Sequence, residues 1–251
     1  ALNGVYIELN TNELYGRNLT AGALDVMGQY YSVASSSHAF YNYGGLVYTG
    51  NDEKALFDNM WQKCYAVIAC CNTIIEKCDE NKAGLSPVWR GSIKGETLAL
   101  RAMLHFDMLR LFGPLTSELD KESIPYQTNS DQTVTPLLSG SEVVGLILDD
   151  LKNAVGLLKD TDPYFVEEEF SDTDLNYRRF RMNYFAAKGL MARVQLWGGD
   201  KEKAAATAKE VIAEGQAEGA EFFPFVTNSE ATSSNPDRVF YSEVLFGTYH
   251  S

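Results

Sequence analysis

The stretch "RMNYFAAKGLMARVQLWGGDKEKAAATAKEVIAEG", Arg181 to Gly215, decides the fold. Asn183 offers an N-cap side chain, and Ala187, Leu190, Met191, Val194 and Trp197 follow at the three-and-four spacing of one helix face. Gly198-Gly199 makes a tight turn, and Asp200 caps a second helix over Lys201 to Glu214. Small side chains at Ala187, Gly189, Ala192, Ala204, Ala205 and Ala208 let the two helices approach closely, as in tetratricopeptide-type repeats. Such a hairpin cannot bury its apolar face alone, so it predicts similar pairs stacked on it. The expected fold is all-α, a helical array with long irregular loops.

Working outward, "SP" at Ser86-Pro87 is a strong helix start, with the hydroxyl as cap and proline in the first turn. Ile93, Thr97, Leu100, Leu104 and Leu111 carry that helix from Pro87 to Phe112, and Gly113-Pro114 stops it. A capping box, Ser139 with Glu142, opens another helix through Ile147, Leu151 and Leu158. Further upstream a helix runs from an Asn51 or Asp52 cap to about Cys78, and one more is expected over Leu19 to Ala34. Between these lie three irregular stretches: Ser35 to Glu53, Leu115 to Leu138, and Lys159 to Arg181. The tail "RVFYSEVLFGTYHS" alternates weakly and reads as a strand that needs a partner, either in a second copy or in a further half of the protein.

All four cysteines fall between Cys64 and Cys78. On a helix Cys64, Cys71 and Cys78 share one stripe but sit about 10 Å apart along the axis, too far for a disulfide or a shared zinc. They are read as packing residues, and Cys70, off the stripe, as the candidate for a reactive thiol.

With 34 acidic and 21 basic residues the chain carries a formal net charge of -13, which repels phosphate backbones and argues against nucleic-acid binding. No apolar run approaches the ~20 residues of a membrane span. The opening "ALNGVYIELN" looks like the middle of an amphipathic helix, so a natural N-terminus is expected upstream. Catalysis has little to stand on. His38, His105 and His250 are scattered, and neither a zinc-type His pair nor a G-x-S-x-G elbow occurs. Glu167-Glu168-Glu169 reads as a solvated face. Glu96 and Arg101, amid apolar neighbours, read as structural ion-pair partners. No enzyme, no metal and no cofactor is expected.

Three segments together resemble one known family. "GETLALRAMLHFDMLRLFG" (Gly95 to Gly113) looks like the signature helix of the SusD/RagB family, departing from it at Thr97. "WQKCYAVIACCNTIIEK" (Trp61 to Lys77) is similar to that family's Trp-x-x-x-Tyr-x-x-Ile-x-x-x-Asn helix, and the hairpin quoted first resembles its Ala-Ala-Lys-Ala-Leu hairpin. The resemblance implies a tetratricopeptide-like right-handed array and a surface lipoprotein of the outer membrane. It implies an oligosaccharide or polysaccharide ligand, passed to a TonB-dependent transporter, with the membrane touched only through an N-terminal lipid anchor absent from this chain. Residues 1–251 would be one N-terminal helical domain, with a C-terminal half beyond it.

Sugar capture needs aromatic faces for pyranose rings and amides for hydroxyls. "HAFYNYGGLVYTGND" supplies Tyr41, Asn42, Tyr43, Tyr48 and Asn51 on one glycine-hinged loop, and these are the candidate ligand residues. The competing reading is a tetratricopeptide-like adaptor that holds a protein or peptide.

Overall fold

The computed structural model describes residues 1–131, 133–217 and 220–248. Six helices of eight or more residues dominate it: α1 (Leu2–Leu9), α2 (Asn51–Glu80), α3 (Pro87–Phe112), α4 (Gly140–Thr161), α5 (Tyr184–Trp197) and α6 (Lys201–Gly215). Two strands, β1 (Glu122–Pro125) and β2 (Leu137–Ser139), pair antiparallel. The residues gather into two compact units: 1–74 with 127–133, and 75–126 with 134–247.

In the larger unit, helices consecutive in sequence pack on each other in turn, α3 on α4, α4 on α5, and α5 on α6. This is the tetratricopeptide-like array expected from the hairpin. The caps are local chemistry, and four of them form as read. Ser86 Oγ accepts from the Trp89 amide at 3.3 Å, Ser139 and Glu142 close their reciprocal box, Asn183 Oδ1 accepts from the Ala186 amide at 2.9 Å, and Asp200 Oδ1 from the Lys203 amide at 3.1 Å.

Helix α3 is buried nearly all round, so its polar residues need partners inside the fold. They have them. Thr97 Oγ1 donates to the Ile93 carbonyl at 2.7 Å. Arg101 makes a two-pronged pair with Asp150 of α4, both bonds 2.7 Å, and Tyr126 donates to the same carboxylate at 2.6 Å. Glu96 receives Arg178, and Arg181 at 3.1 Å, while Arg178 also grips Asp162 at the end of α4. Asp162 Oδ2 then accepts the Tyr184 amide at 2.8 Å, where α5 starts. The expected structural role of Glu96 and Arg101 is thus met by two separate clusters that tie α3 to the rest of its unit.

Cys64, Cys71 and Cys78 are buried and Cys70 is exposed, as the stripe predicts. Burial pushes the Cys78 thiol up from its ordinary value, with Asp79 adding to the effect. Asn72, one residue after that stripe, is fully buried; its amide donates to the Gln127 carbonyl at 3.1 Å and to the Asn129 carbonyl at 2.8 Å.

Four readings need correction. Leu19 to Ala34 is not one helix: residues 11–22 are turns, and only Ala23–Met27 is helical before Gln29 turns left-handed (φ 62°). Helix α2 takes Asn51 as its first helical residue, so Asn51 does not stand outside it as a cap. The Leu115 to Leu138 excursion contains β1, and its last residues enter β2; partners some fifteen residues apart escape a local reading. The tail forms a 3-10 turn at Tyr241–Glu243 in place of a strand. Its backbone finds partners in this chain, since Asn183 Nδ2 donates to the Leu245 carbonyl at 2.7 Å and the Gly247 amide to the Arg179 carbonyl at 3.0 Å. His250 lies outside the described residues.

Candidate functional site

The tyrosine loop belongs to the smaller unit, and its aromatic residues divide into two sets. Tyr43 is 2% exposed and packs on Ala23 and Val26, with Phe40, Tyr48 and Phe57 against the same cluster. The rings meet edge-on or tilted, Tyr48 to Phe57 at 5.3 Å and Tyr43 to Phe57 at 6.0 Å between centroids. Burial raises the phenol pKa of both tyrosines; for Tyr43 the carboxylates of Glu53 and Asp52 add to it. Tyr43 is therefore core and offers no open face, and Tyr48 backs it.

Tyr41 differs. It opens a helical turn, Tyr41–Gly44, inside the loop, and its ring is 42% exposed. It shares a cleft of about 380 Å³ with Tyr31, which is 56% exposed. Gln29, Ser32 and Asn42 line the same cleft, and Val33, Gly44, Gly45 and Val47 complete it.

Two left-handed residues shape these walls, Gln29 at φ 62° and Leu46 at φ 54°. Side chains other than glycine adopt that region at a cost, and here hydrogen bonds hold it. Gln29 Nε2 donates to the Gly44 carbonyl at 3.0 Å, joining the helical turn at Ala23–Met27 to the loop. After Leu46, the Val47 amide donates back to the Asn42 carbonyl at 2.9 Å. Asn42 is fixed in turn, because its Nδ2 donates to Glu53 Oε1 at 2.8 Å. The cleft is thus preorganised, with two part-exposed tyrosines and backbone held by hydrogen bonds of Gln29 and Asn42.

Of the five residues singled out in the sequence, the structure brings Tyr41 and Asn42 to the cleft. Tyr43 and Tyr48 lie in the packing behind it, and Asn51 is an exposed residue at the start of α2. Tyr31, Gln29 and Ser32 were missed because they were assigned to a helix and its end. The signal was present in "MGQYYS", where Gly28 precedes a polar residue and two tyrosines.

The remaining chemical candidates are occupied. His105 is fully buried, its Nδ1 donating to the Arg101 carbonyl at 3.0 Å and its ring stacked on Tyr126 at 4.0 Å, and burial pulls its pKa down to about 3. His38 Nδ1 accepts from the Phe40 amide at 3.1 Å. Glu167–Glu169 form an exposed 3-10 turn. Among the described residues no group of three His, Cys, Asp or Glu side chains could hold a metal, and no helix is long and apolar enough to cross a membrane.

A family model described as "SusD-like_3: Starch-binding associating with outer membrane" matches residues 8–196. The chain belongs to this SusD-like family. SusD-like protein P2 of Formosa agariphila is 25% identical over 219 residues, which is 84% of this chain and 38% of that protein. A SusD-like carbohydrate-binding protein from Bacteroides vulgatus superposes with a TM-score of 0.69 at 23% identity, over 91% of this chain and 45% of the other. A laminarin-binding SusD-like protein superposes at 0.65 with 17% identity, covering 92% of this chain and 46% of the other. At these identities the structural likeness establishes the fold alone. The chain spans less than half the length of these relatives.

Proposed function

We propose that the cleft between Tyr31 and Tyr41 binds glycan, within a surface-exposed outer-membrane lipoprotein that captures oligosaccharides for a TonB-dependent transporter. One observation carries the reading: two part-exposed tyrosine rings share a preorganised cleft with Gln29, Asn42 and Ser32. Flat aromatic faces suit the apolar sides of pyranose rings, and a few oriented amides and hydroxyls suit their hydroxyl groups. Family membership supports the same reading, since relatives of this fold include the laminarin-binding protein and one with a bound xylogluco-oligosaccharide. The outer-membrane setting follows the family's description as associating with that membrane.

Calorimetry with a panel of oligosaccharides tests the site. Tyr31→Ala and Tyr41→Ala should each weaken binding by about 1–3 kcal/mol, by analogy with bases stacked on aromatic side chains. The sugar should be recovered uncut. Affinities equal to wild type in both variants would remove the cleft from the account. Co-purification of the protein with an outer-membrane transporter from detergent-solubilised membranes tests the partner.

A further inference from the structure

The glycan reading leaves open which class of sugar the cleft admits, and the charges around it bear on that choice. No charged side chain is among the residues lining the cleft. Directly behind the wall stands a carboxylate, Glu53, only 5% exposed and joined to the lining residue Asn42 by a 2.8 Å hydrogen bond. Gly50 leaves room for it: a Cβ there would lie 2.0 Å from Glu53 Oε2. Asp52 sits beside it in the first turn of α2. The partial positive charge of that helix N-terminus is thus already matched by acidic side chains. Of the basic residues, Arg17 lies over the Phe40 ring at 5.8 Å, and Lys54, next to Glu53 in the chain, is exposed and not among the lining residues. A buried carboxylate acts through a lower dielectric than a surface one, so its repulsion reaches a ligand one hydrogen bond away.

We infer that this cleft selects uncharged glycans and that Glu53, acting through Asn42, is the positioning residue that discriminates against uronic or sulfated sugars. The inference rests on the glycan reading of the cleft. Asn42 links the two, since it lines the cleft and its amide is held by Glu53, whose charge disfavours an anion there.

The test pairs ligands that differ only in charge: an oligogalacturonate and the same oligosaccharide after reduction of its carboxyl groups. Neutral β-1,3-glucan and xyloglucan fragments are run beside them, all by calorimetry at low salt. The neutral member of the pair should bind on the order of tenfold more tightly than the acidic one. That gap should narrow only in part toward 1 M salt, since a buried charge is screened much less than a surface one. Glu53→Gln, which keeps an acceptor for Asn42, should narrow the ratio of neutral to acidic affinity whatever it does to either one. The salt titration needs no variant, so it stands even if that substitution harms folding. An acidic ligand binding as tightly as its reduced partner at low salt overturns the selectivity and leaves the glycan site standing. Binding of neither class, or binding untouched by Tyr31→Ala and Tyr41→Ala, overturns the glycan reading of the cleft itself.

Discussion

Tyr41 and Tyr43 stand two positions apart on one helical turn, yet one is open and the other is packed on Ala23 and Val26. Tyr43→Ala should therefore cost about 3 kcal/mol of stability, as deletion of a buried ring usually does. Tyr41→Ala should stay within about 0.5 kcal/mol. Urea denaturation of the two variants separates them, and equal losses would contradict the division of the loop. His105 carries a second prediction. It is held neutral by burial, its pKa pulled down to about 3, whereas an unfolded histidine titrates near 6.5. As pH falls below about 6.5 the unfolded chain takes up a proton that the folded chain refuses, so stability is lost with falling pH across that window. Between about pH 7.5 and 5 the loss should be about 2 kcal/mol. Carboxylates titrate mostly below that range, and His105→Gln should flatten the slope. An unchanged slope would place the proton uptake on another group.

The elements divide by how local their causes are. The caps at Ser86, Ser139, Asn183 and Asp200 form as read, because a serine, asparagine or aspartate needs only the amides two or three residues on. The hairpin of α5 and α6 was legible for the same reason, through its glycine turn and alanine-rich faces. The pairing of β1 with β2 was not, nor was the left-handed turn at Gln29, since both depend on chain that arrives from elsewhere: Leu137–Ser139 in one case, the Gly44 carbonyl in the other. Of the candidate site, the loop was legible by its tyrosines and glycines. Which tyrosine faces outward was set by Ala23 and Val26, which sequence periodicity had placed in a longer helix. Close approach between α3 and α4 rests on Gly95, where an added Cβ would come within 2.7 Å of Leu158 Cγ and 3.3 Å of the Ala154 carbonyl. Alanine has the better helix propensity by about 1 kcal/mol. The clash should outweigh it, since overpacking of a tight contact costs about 1–3 kcal/mol. Gly95→Ala is thus expected to lower the melting temperature, and a rise would mean that α4 can shift without penalty.

Across the whole molecule, stability should be unevenly spread. The larger unit has long helices whose buried charges are paired by Arg101, Arg178 and Lys188, the last reaching Glu210 and Glu214 at 2.9 Å each. Burial alone would lower the Lys188 pKa, but those hydrogen bonds prevail and raise it above the ordinary lysine value. Residues 28–50 of the smaller unit have one helical turn and a backbone held by scattered turn hydrogen bonds. Segments of that kind open locally at lower free energy than packed helices. Amide exchange should therefore be slowest in α3, α4 and α5 and fast across 28–50. Glycan binding to the cleft changes that pattern in a predictable place. Ligand bound to the closed form adds RT ln(1 + [L]/Kd) to the cost of opening, about 2.7 kcal/mol at a hundredfold excess over Kd. This added protection should appear at residues 29–47, where opening breaks the site, and should leave α6 unchanged, where opening does not. Exchange slowed instead over residues 226–242, where a separate cleft is lined by Ser229, Asn235 and Tyr241, would move the ligand there and refute the tyrosine site.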